Sequence, residues 1–118
     1  MSVYFLAVVH KVRDADVQGE YGRRSLPHLS TCDATLVSAA FDTTGESGRI
    51  YEVNPGFRDM GIRRFETLEG EHADGVSFLK FPDREAFEAW YYSDEYQEVM
   101  KLRLEATEGQ AFYVEGFE

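Results

Sequence analysis

The alternation of apolar and polar positions is most regular in the last third of the chain. An apolar strand ends at Phe81, and Asp83 follows as an N-cap whose carboxylate accepts hydrogen bonds from the free amides of a first helical turn. Apolar residues then recur at helical spacing, at Ala86, Phe87, Trp90 and Tyr91. Ser93, with two acids after it, begins a second helix, and the run QAFYVEG closes the segment. The pattern predicts strand, helix, helix, strand.

The first strand, residues 3–10, is apolar on both of its faces. One face carries Val3, Phe5, Ala7 and Val9, and the other carries Tyr4, Leu6 and Val8. A strand with one solvated face would alternate apolar and polar residues, so we expect this strand to be covered twice. Helices cover one face, and in so short a chain a second subunit is the natural cover for the other.

Between the first two strands, the segment from Asp14 to Cys32 is predicted to be helical. Pro27 is expected to kink the helix, because proline lacks an amide donor and crowds the preceding turn. Tyr21 and His28 are two helical turns apart and would lie on the same side. Residues 34–41, ATLVSAAF, predict strand two.

Residues 42–64 break the regular pattern, because glycines and a proline interrupt any long element. Within this segment, IYEV at 50–53 predicts a short additional strand. We expect the segment to be an arm or lid that contacts the other subunit or covers a pocket mouth, rather than part of the core. A strand at 65–68, a turn at 69–75 and a strand at 76–81 are predicted to follow.

The order of elements predicts an α+β fold of the ferredoxin-like type, βαββαβ, with an inserted arm between strands two and three. No internal repeat, linker or low-complexity run divides the chain, so residues 1–118 are expected to form a single domain.

The run FPDREAFEAWYYSDEYQEVMKLRLEA, followed by a closing strand and VEG, resembles the small bacterial domain-of-unknown-function family numbered thirteen-thirty. The resemblance covers roughly residues 1–41 and 65–117. In the first half of the chain, the resemblance rests on the first strand, the run Tyr21-Gly-Arg-Arg and Pro27. It implies the dimeric α+β barrel superfamily, in which two ferredoxin-like sheets pack face to face. This agrees with the doubly apolar first strand, but it supplies no catalytic residues.

Composition narrows the classes of partner. The chain has 118 residues and a net charge of −10, so nucleic acid and anionic membranes are not expected as partners. Acidity of this size is typical of ordinary solubility, and a salt-rich habitat is the alternative. The single cysteine, Cys32, excludes a disulfide framework and favours a cytoplasmic location. No segment approaches transmembrane length.

Motifs for metal or cofactor chemistry are not found. The three histidines, His10, His28 and His72, have no metal-ligand spacing, and no phosphate-binding or dinucleotide-binding run occurs. We therefore expect no metal and no cofactor.

Arg103 lies within the apolar stripe of the last predicted helix and needs an anion there, because an unpaired buried charge is costly. An ion pair with an acid of the sheet or of a partner subunit would satisfy it, and so would extension of the side chain to solvent. The functional alternative is bidentate binding of a ligand carboxylate. Trp90 and Tyr91 are predicted to join Arg103 as ligand-binding residues, and burial in the core is the alternative for both.

His28 and Tyr21 are the candidate catalytic residues. A buried imidazole beside a phenol can act as an acid–base pair on a small enolisable substrate. The alternative is a core or interface histidine whose hydrogen bonds are satisfied within the protein.

These patterns predict a homodimer that binds a small organic ligand, such as a carboxylate, between sheet and helices. By analogy with the superfamily, the first alternative is a cofactor-independent enzyme of the isomerase or monooxygenase type. The second alternative is a structural dimer without catalysis.

Overall fold

The computed structural model describes residues 1–117 and contains a four-stranded antiparallel sheet. The elements in chain order are β1 (Val3–Val12), α1 (Ala15–Leu29), β2 (Thr35–Phe41), α2 (Gly45–Gly48), α3 (Ile50–Val53), α4 (Pro55–Asp59), β3 (Gly75–Phe81), α5 (Arg84–Tyr91), α6 (Asp94–Ala106) and β4 (Thr107–Glu115). The strand order is β2-β3-β1-β4, which places β1 and β3 in the middle of the sheet. This confirms the predicted α+β fold with βαββαβ order and an insertion between β2 and β3.

The long helices begin at capping residues. The Asp14 carboxylate accepts from the Val17 amide at 3.1 Å, and the Asp83 carboxylate accepts from the Ala86 amide at 2.8 Å. The Ser93 hydroxyl accepts from the Tyr96 amide at 3.1 Å, so both caps predicted in the last third are confirmed. Pro27 lies inside α1, which continues to Leu29.

Helices α1 and α6 pack against each other in antiparallel fashion. At one end, the Arg13 amide just before α1 donates to the Ala106 carbonyl at 2.7 Å. At the other end, His28 Nδ1 lies 2.9 Å from Glu95 Oε2. Together with α5, these helices cover one face of the sheet, where a cluster of rings around Phe5, Phe81 and Trp90 forms the main core.

Two predicted strands are absent from the described part of the chain. Residues 50–53 form α3, in which the neighbouring side chains of Ile50 and Tyr51 are both buried in the same core; alternation along a strand would send them to opposite faces. Residues 65–68 form no regular element, and Leu68 is exposed. A strand there could not form the predicted hairpin with β3, because β3 already pairs with β1 on one side and β2 on the other.

The insertion packs on its own domain, so the expectation that its apolar side chains stand apart from the core is wrong. Ile50, Tyr51 and Phe57 form a second buried cluster with Phe41 and residues at the end of β1. The Tyr51 hydroxyl accepts from the Phe41 amide at 3.0 Å and donates to the Phe41 carbonyl at 3.3 Å. These contacts anchor the insertion beside the sheet.

The second face of the sheet is apolar and is not covered by any described element. In register across the sheet, Leu6 lies between Phe78 on β3 and Phe112 on β4, and Val8 lies beside Val76. The Phe112 side chain remains 43% exposed, although it lies in this apolar row. We call this surface the open face; it comprises Tyr4, Leu6, Val8, Val76, Phe78, Phe112 and Val114.

No helix among residues 1–117 has both the length and the apolar character needed to cross a membrane.

Candidate functional site

A cavity lies between the covered face of the sheet and the helices. Its volume is about 80 Å³. This volume is well above the roughly 10–15 Å³ that a cavity needs to hold one water, so there is room for several water-sized groups. Strand residues such as Phe5, Ala7 and Leu79 form its floor, and α1 and α6 form its roof. Ile50 and Phe57 of the insertion close one side.

Three buried polar atoms of this cavity have no protein partner. They are Gln18 Oε1, Trp90 Nε1 and Arg103 Nε, and all three residues line the cavity. In residues 1–117 these are the only buried side-chain nitrogen or oxygen atoms left without a hydrogen bond. A buried polar group without a partner costs about 1–3 kcal/mol, and all three atoms lie in one cavity, which is therefore the candidate site.

Arg103 reaches the cavity from the last turn of α6. Its guanidinium carbon lies 5.9 Å from the centre of the Phe5 ring, within reach of a cation–π contact. Arg103 is half-buried, and no carboxylate of residues 1–117 forms an ion pair with it. The alternative of an ion pair with an acid of the same sheet is therefore not supported.

Two tyrosines join the helices beside Arg103. The Tyr21 and Tyr96 hydroxyl oxygens are 2.9 Å apart, and the rings meet edge to face. Desolvation raises the pKa of Tyr21 well above its usual value, and the Tyr96 hydroxyl raises it further while Arg103 opposes the shift. Desolvation also raises the pKa of Tyr96. Both phenols therefore stay protonated at neutral pH, and the Tyr21 ring lines the cavity.

The structure does not bring His28 and Tyr21 together in this cavity. His28 lies outside the cavity lining, where Nδ1 is paired with Glu95 and Nε2 lies 3.7 Å from the Cys32 sulfur. Cys32 lies four residues after His28, about one helical turn, and this spacing brings the two side chains close together. An acid–base pair of His28 and Tyr21 on one substrate is not supported by this arrangement.

The two aromatic candidates on α5, Trp90 and Tyr91, face different parts of the molecule. Trp90 is fully buried and lines the cavity, whereas Tyr91 does not. Neighbouring helical positions point about 100° apart, and Tyr91 instead stacks on Phe87, one turn earlier in α5, with ring centres 5.4 Å apart. Tyr91 lines a separate groove there with Arg84 and Tyr113.

Sequence reasoning missed Gln18, which is 9% exposed and faces the cavity from α1. Its signal was present in the sequence, because Gln18 lies three residues before Tyr21 and four before Gly22, on the same helical face. A glutamine on an otherwise small and apolar face is unusual and needs a hydrogen-bond partner.

In residues 1–117, no group of three or more histidine, cysteine or acidic side chains has an arrangement that could hold a metal ion.

The comparisons with solved structures confirm the fold. A protein of unknown function from Rhodopseudomonas palustris superposes with a TM-score of 0.63 at 18% identity, over 99% of this chain and 83% of that chain. A dimeric protein of unknown function with a ferredoxin-like fold, from Bacteroides fragilis, gives a TM-score of 0.56 at 12% identity, over 98% and 96% of the two chains.

A third similar structure is SnoaB, a cofactor-independent oxygenase from Streptomyces nogalater. It gives a TM-score of 0.53 at 9% identity, over 99% of this chain and 94% of that chain. Identities this low show a shared fold and no more. No curated protein matches the sequence.

The family comparison concerns the C-terminal part of the chain. A family model described as Domain of unknown function (DUF1330) matches residues 60–117, which include β3, α5, α6 and β4. The match does not extend to the N-terminal region, where the resemblance rested on the first strand, Tyr21-Gly-Arg-Arg and Pro27. The predicted resemblance to this family of unknown function is thus confirmed over residues 60–117.

Proposed function

We propose that the protein is a homodimer that binds a small organic carboxylate in the cavity between sheet and helices. The observation that carries the proposal is the pair of unpartnered donors, Trp90 Nε1 and Arg103 Nε, in one apolar cavity. A carboxylate offers two acceptor oxygens, and its charge supplies the anion that Arg103 lacks within the described chain.

The rest of the cavity fits the carbon skeleton of such a ligand. Phe5, Leu29 and Leu79 are among the apolar side chains of the wall. The volume suits a short branched acid rather than a polycyclic compound. Burial of a few methyl groups against these side chains would contribute about 0.8 kcal/mol for each CH₂ unit.

Dimerisation through the open face is supported by the row of Leu6, Phe78 and Phe112 and by the description of the Bacteroides fragilis neighbour as dimeric. An apolar patch of this kind on a sheet is costly in water. A second copy of the same sheet covers it with the same chemistry. Light scattering on the purified protein is expected to give twice 13.5 kDa; a stable monomer would contradict this part of the proposal.

The insertion is proposed to act as a lid over one side of the cavity. Ile50, Asn54 and Phe57 line the cavity while they pack on the second buried cluster. Entry of a ligand from this side requires these side chains to move away from the cavity.

A second candidate function is a cofactor-independent enzyme, and the arrangement of Tyr21 favours it. A protonated phenol beside a guanidinium can give a proton to an oxyanion, and Trp90 and Arg103 would stabilise the developing charge. The likeness to SnoaB is one of fold and adds only that such chemistry occurs on this scaffold.

The binding proposal is tested with a pair of ligands of the same shape and different charge. Trp90 is the only tryptophan and lies in the cavity wall, so its fluorescence reports occupation of the site. Isovalerate is expected to change the fluorescence with an affinity at least about tenfold higher than that of isovaleramide, because the amide lacks the charge that Arg103 recognises. Equal affinities for the two compounds would contradict a carboxylate site. If neither these two compounds nor a panel of other short acids and amides bound, the cavity would not be a binding site.

A further inference from the structure

Gln18 sets a requirement on the ligand that the carboxylate cannot meet. Its Oε1 atom is a buried acceptor without a partner, and its side chain is 9% exposed in the cavity wall. An ionised carboxylate only accepts hydrogen bonds. A simple acid would therefore satisfy Trp90 and Arg103 and leave Gln18 Oε1 unpaired.

The other polar groups of the wall do not share this need, and neither the Ser25 nor the Ser77 hydroxyl is among the buried atoms without a partner. The Asn54 amide donates to the Gly19 carbonyl at 3.4 Å, and its oxygen accepts from the Phe57 amide at 3.1 Å. The Tyr21 hydroxyl is hydrogen-bonded to Tyr96. Gln18 is therefore the acceptor in the wall that selects for a second polar group on the ligand.

A hydroxyl is the group that fits. It donates to Oε1, and because it also accepts, it satisfies either end of the Gln18 amide. The cavity, at about 80 Å³, has room for a short chain that carries a carboxylate and one hydroxyl.

We infer that the ligand of this cavity is a short hydroxy acid, whose carboxylate binds Arg103 and Trp90 and whose hydroxyl binds Gln18. This inference rests on the proposed carboxylate site and adds its selectivity. A site built to hydrogen-bond a hydroxyl discriminates against the analogue that lacks it, because the buried protein group is then left unpaired.

The test compares butyrate with 2-, 3- and 4-hydroxybutyrate by Trp90 fluorescence and by calorimetry. At least one hydroxybutyrate is expected to bind at least about tenfold more tightly than butyrate. Butyrate binding with no gain from a hydroxyl at any position would overturn the hydroxy-acid inference and leave the carboxylate site standing. If none of these acids binds, both the inference and the carboxylate site fail.

The variant Gln18→Met keeps the length of the side chain and removes its amide. It is expected to abolish the preference for the hydroxy acid, so that butyrate and the hydroxybutyrates bind with affinities within about twofold of one another. The matched control is Gln97→Met, because the Gln97 amide donates to the Tyr91 carbonyl outside the cavity. A preference that survives in Gln18→Met would show that another group reads the hydroxyl and would overturn the assignment to Gln18.

Discussion

The two faces of the sheet are similar in sequence and different in what they offer to a partner. On the covered face, Phe5 is 3% exposed and lies beside a cavity that contains three unpartnered polar atoms. On the open face, Leu6 and Phe112 form a continuous apolar surface in register. An enclosed cavity with a few placed polar groups selects a small molecule by hydrogen bonding. A broad apolar surface selects by shape, which suits a second copy of the same sheet.

The largest effect is expected from introducing a charge on either face of β1. Phe5→Asp removes rings from the main core and buries a carboxylate, so the free energy of unfolding should fall by about 5 kcal/mol or more and the chain should not fold. Leu6→Asp, one residue away, should leave a folded monomer. Circular dichroism measures folding and light scattering measures mass.

If Leu6→Asp also unfolded the chain, folding and dimerisation would be inseparable and the two faces would not have distinct roles. If Leu6→Asp remained a dimer, the open face would not be the interface.

A smaller effect is expected within the insertion, where Ile50 and Ile62 form a matched pair. Ile50 is 3% exposed and packs in the second buried cluster, so Ile50→Ala should lower the free energy of unfolding by about 2–5 kcal/mol. Ile62 is 58% exposed, and Ile62→Ala should change it by less than about 0.5 kcal/mol. Denaturant unfolding measures both values. Equal small losses would show that the insertion is not anchored to the domain.

The smallest effect concerns alkaline pH. Because burial raises the pKa of Tyr21 well above its usual value, the unfolded chain releases this proton at a lower pH than the folded protein does. Stability from this group is fully present below about pH 10 and declines as the pH rises beyond that value. Tyr21→Phe should make that decline shallower in melts taken between about pH 8 and about pH 11. A decline as steep as that of the unmodified protein would assign it to other groups.

The fold could be predicted largely because its signals are local. Asp83 and Ser93 cap their helices as expected, and the two apolar faces of β1 are where alternation places them. The false strands at 50–53 and 65–68 have a common cause. Short apolar runs do not distinguish a strand from a helical turn or a loop, and the outcome depended on which sheet edges and core surfaces were free.

The candidate site was predicted only in part, for a related reason. Arg103 and Trp90 line the cavity, and both could be singled out because a charge or a large ring on a helical stripe is visible in one element. Tyr91 and His28 lie outside this cavity, because one residue along a helix turns a side chain by about 100° away from a neighbour that lines it. Gln18 was missed, since its lack of a partner depends on what α6 and the sheet place around it.

The most direct test of the central claim is the variant Arg103→Met, measured for both stability and binding. The account predicts that the apo melting temperature is unchanged or higher, since no acid of residues 1–117 pairs with Arg103, while isovalerate affinity falls by about tenfold to a hundredfold. The control is Arg84→Met, which removes a surface arginine paired with Glu88 at 2.7 Å and should leave binding unchanged. A strong loss of apo stability in Arg103→Met with unchanged isovalerate affinity would make Arg103 a structural residue and would contradict the carboxylate site.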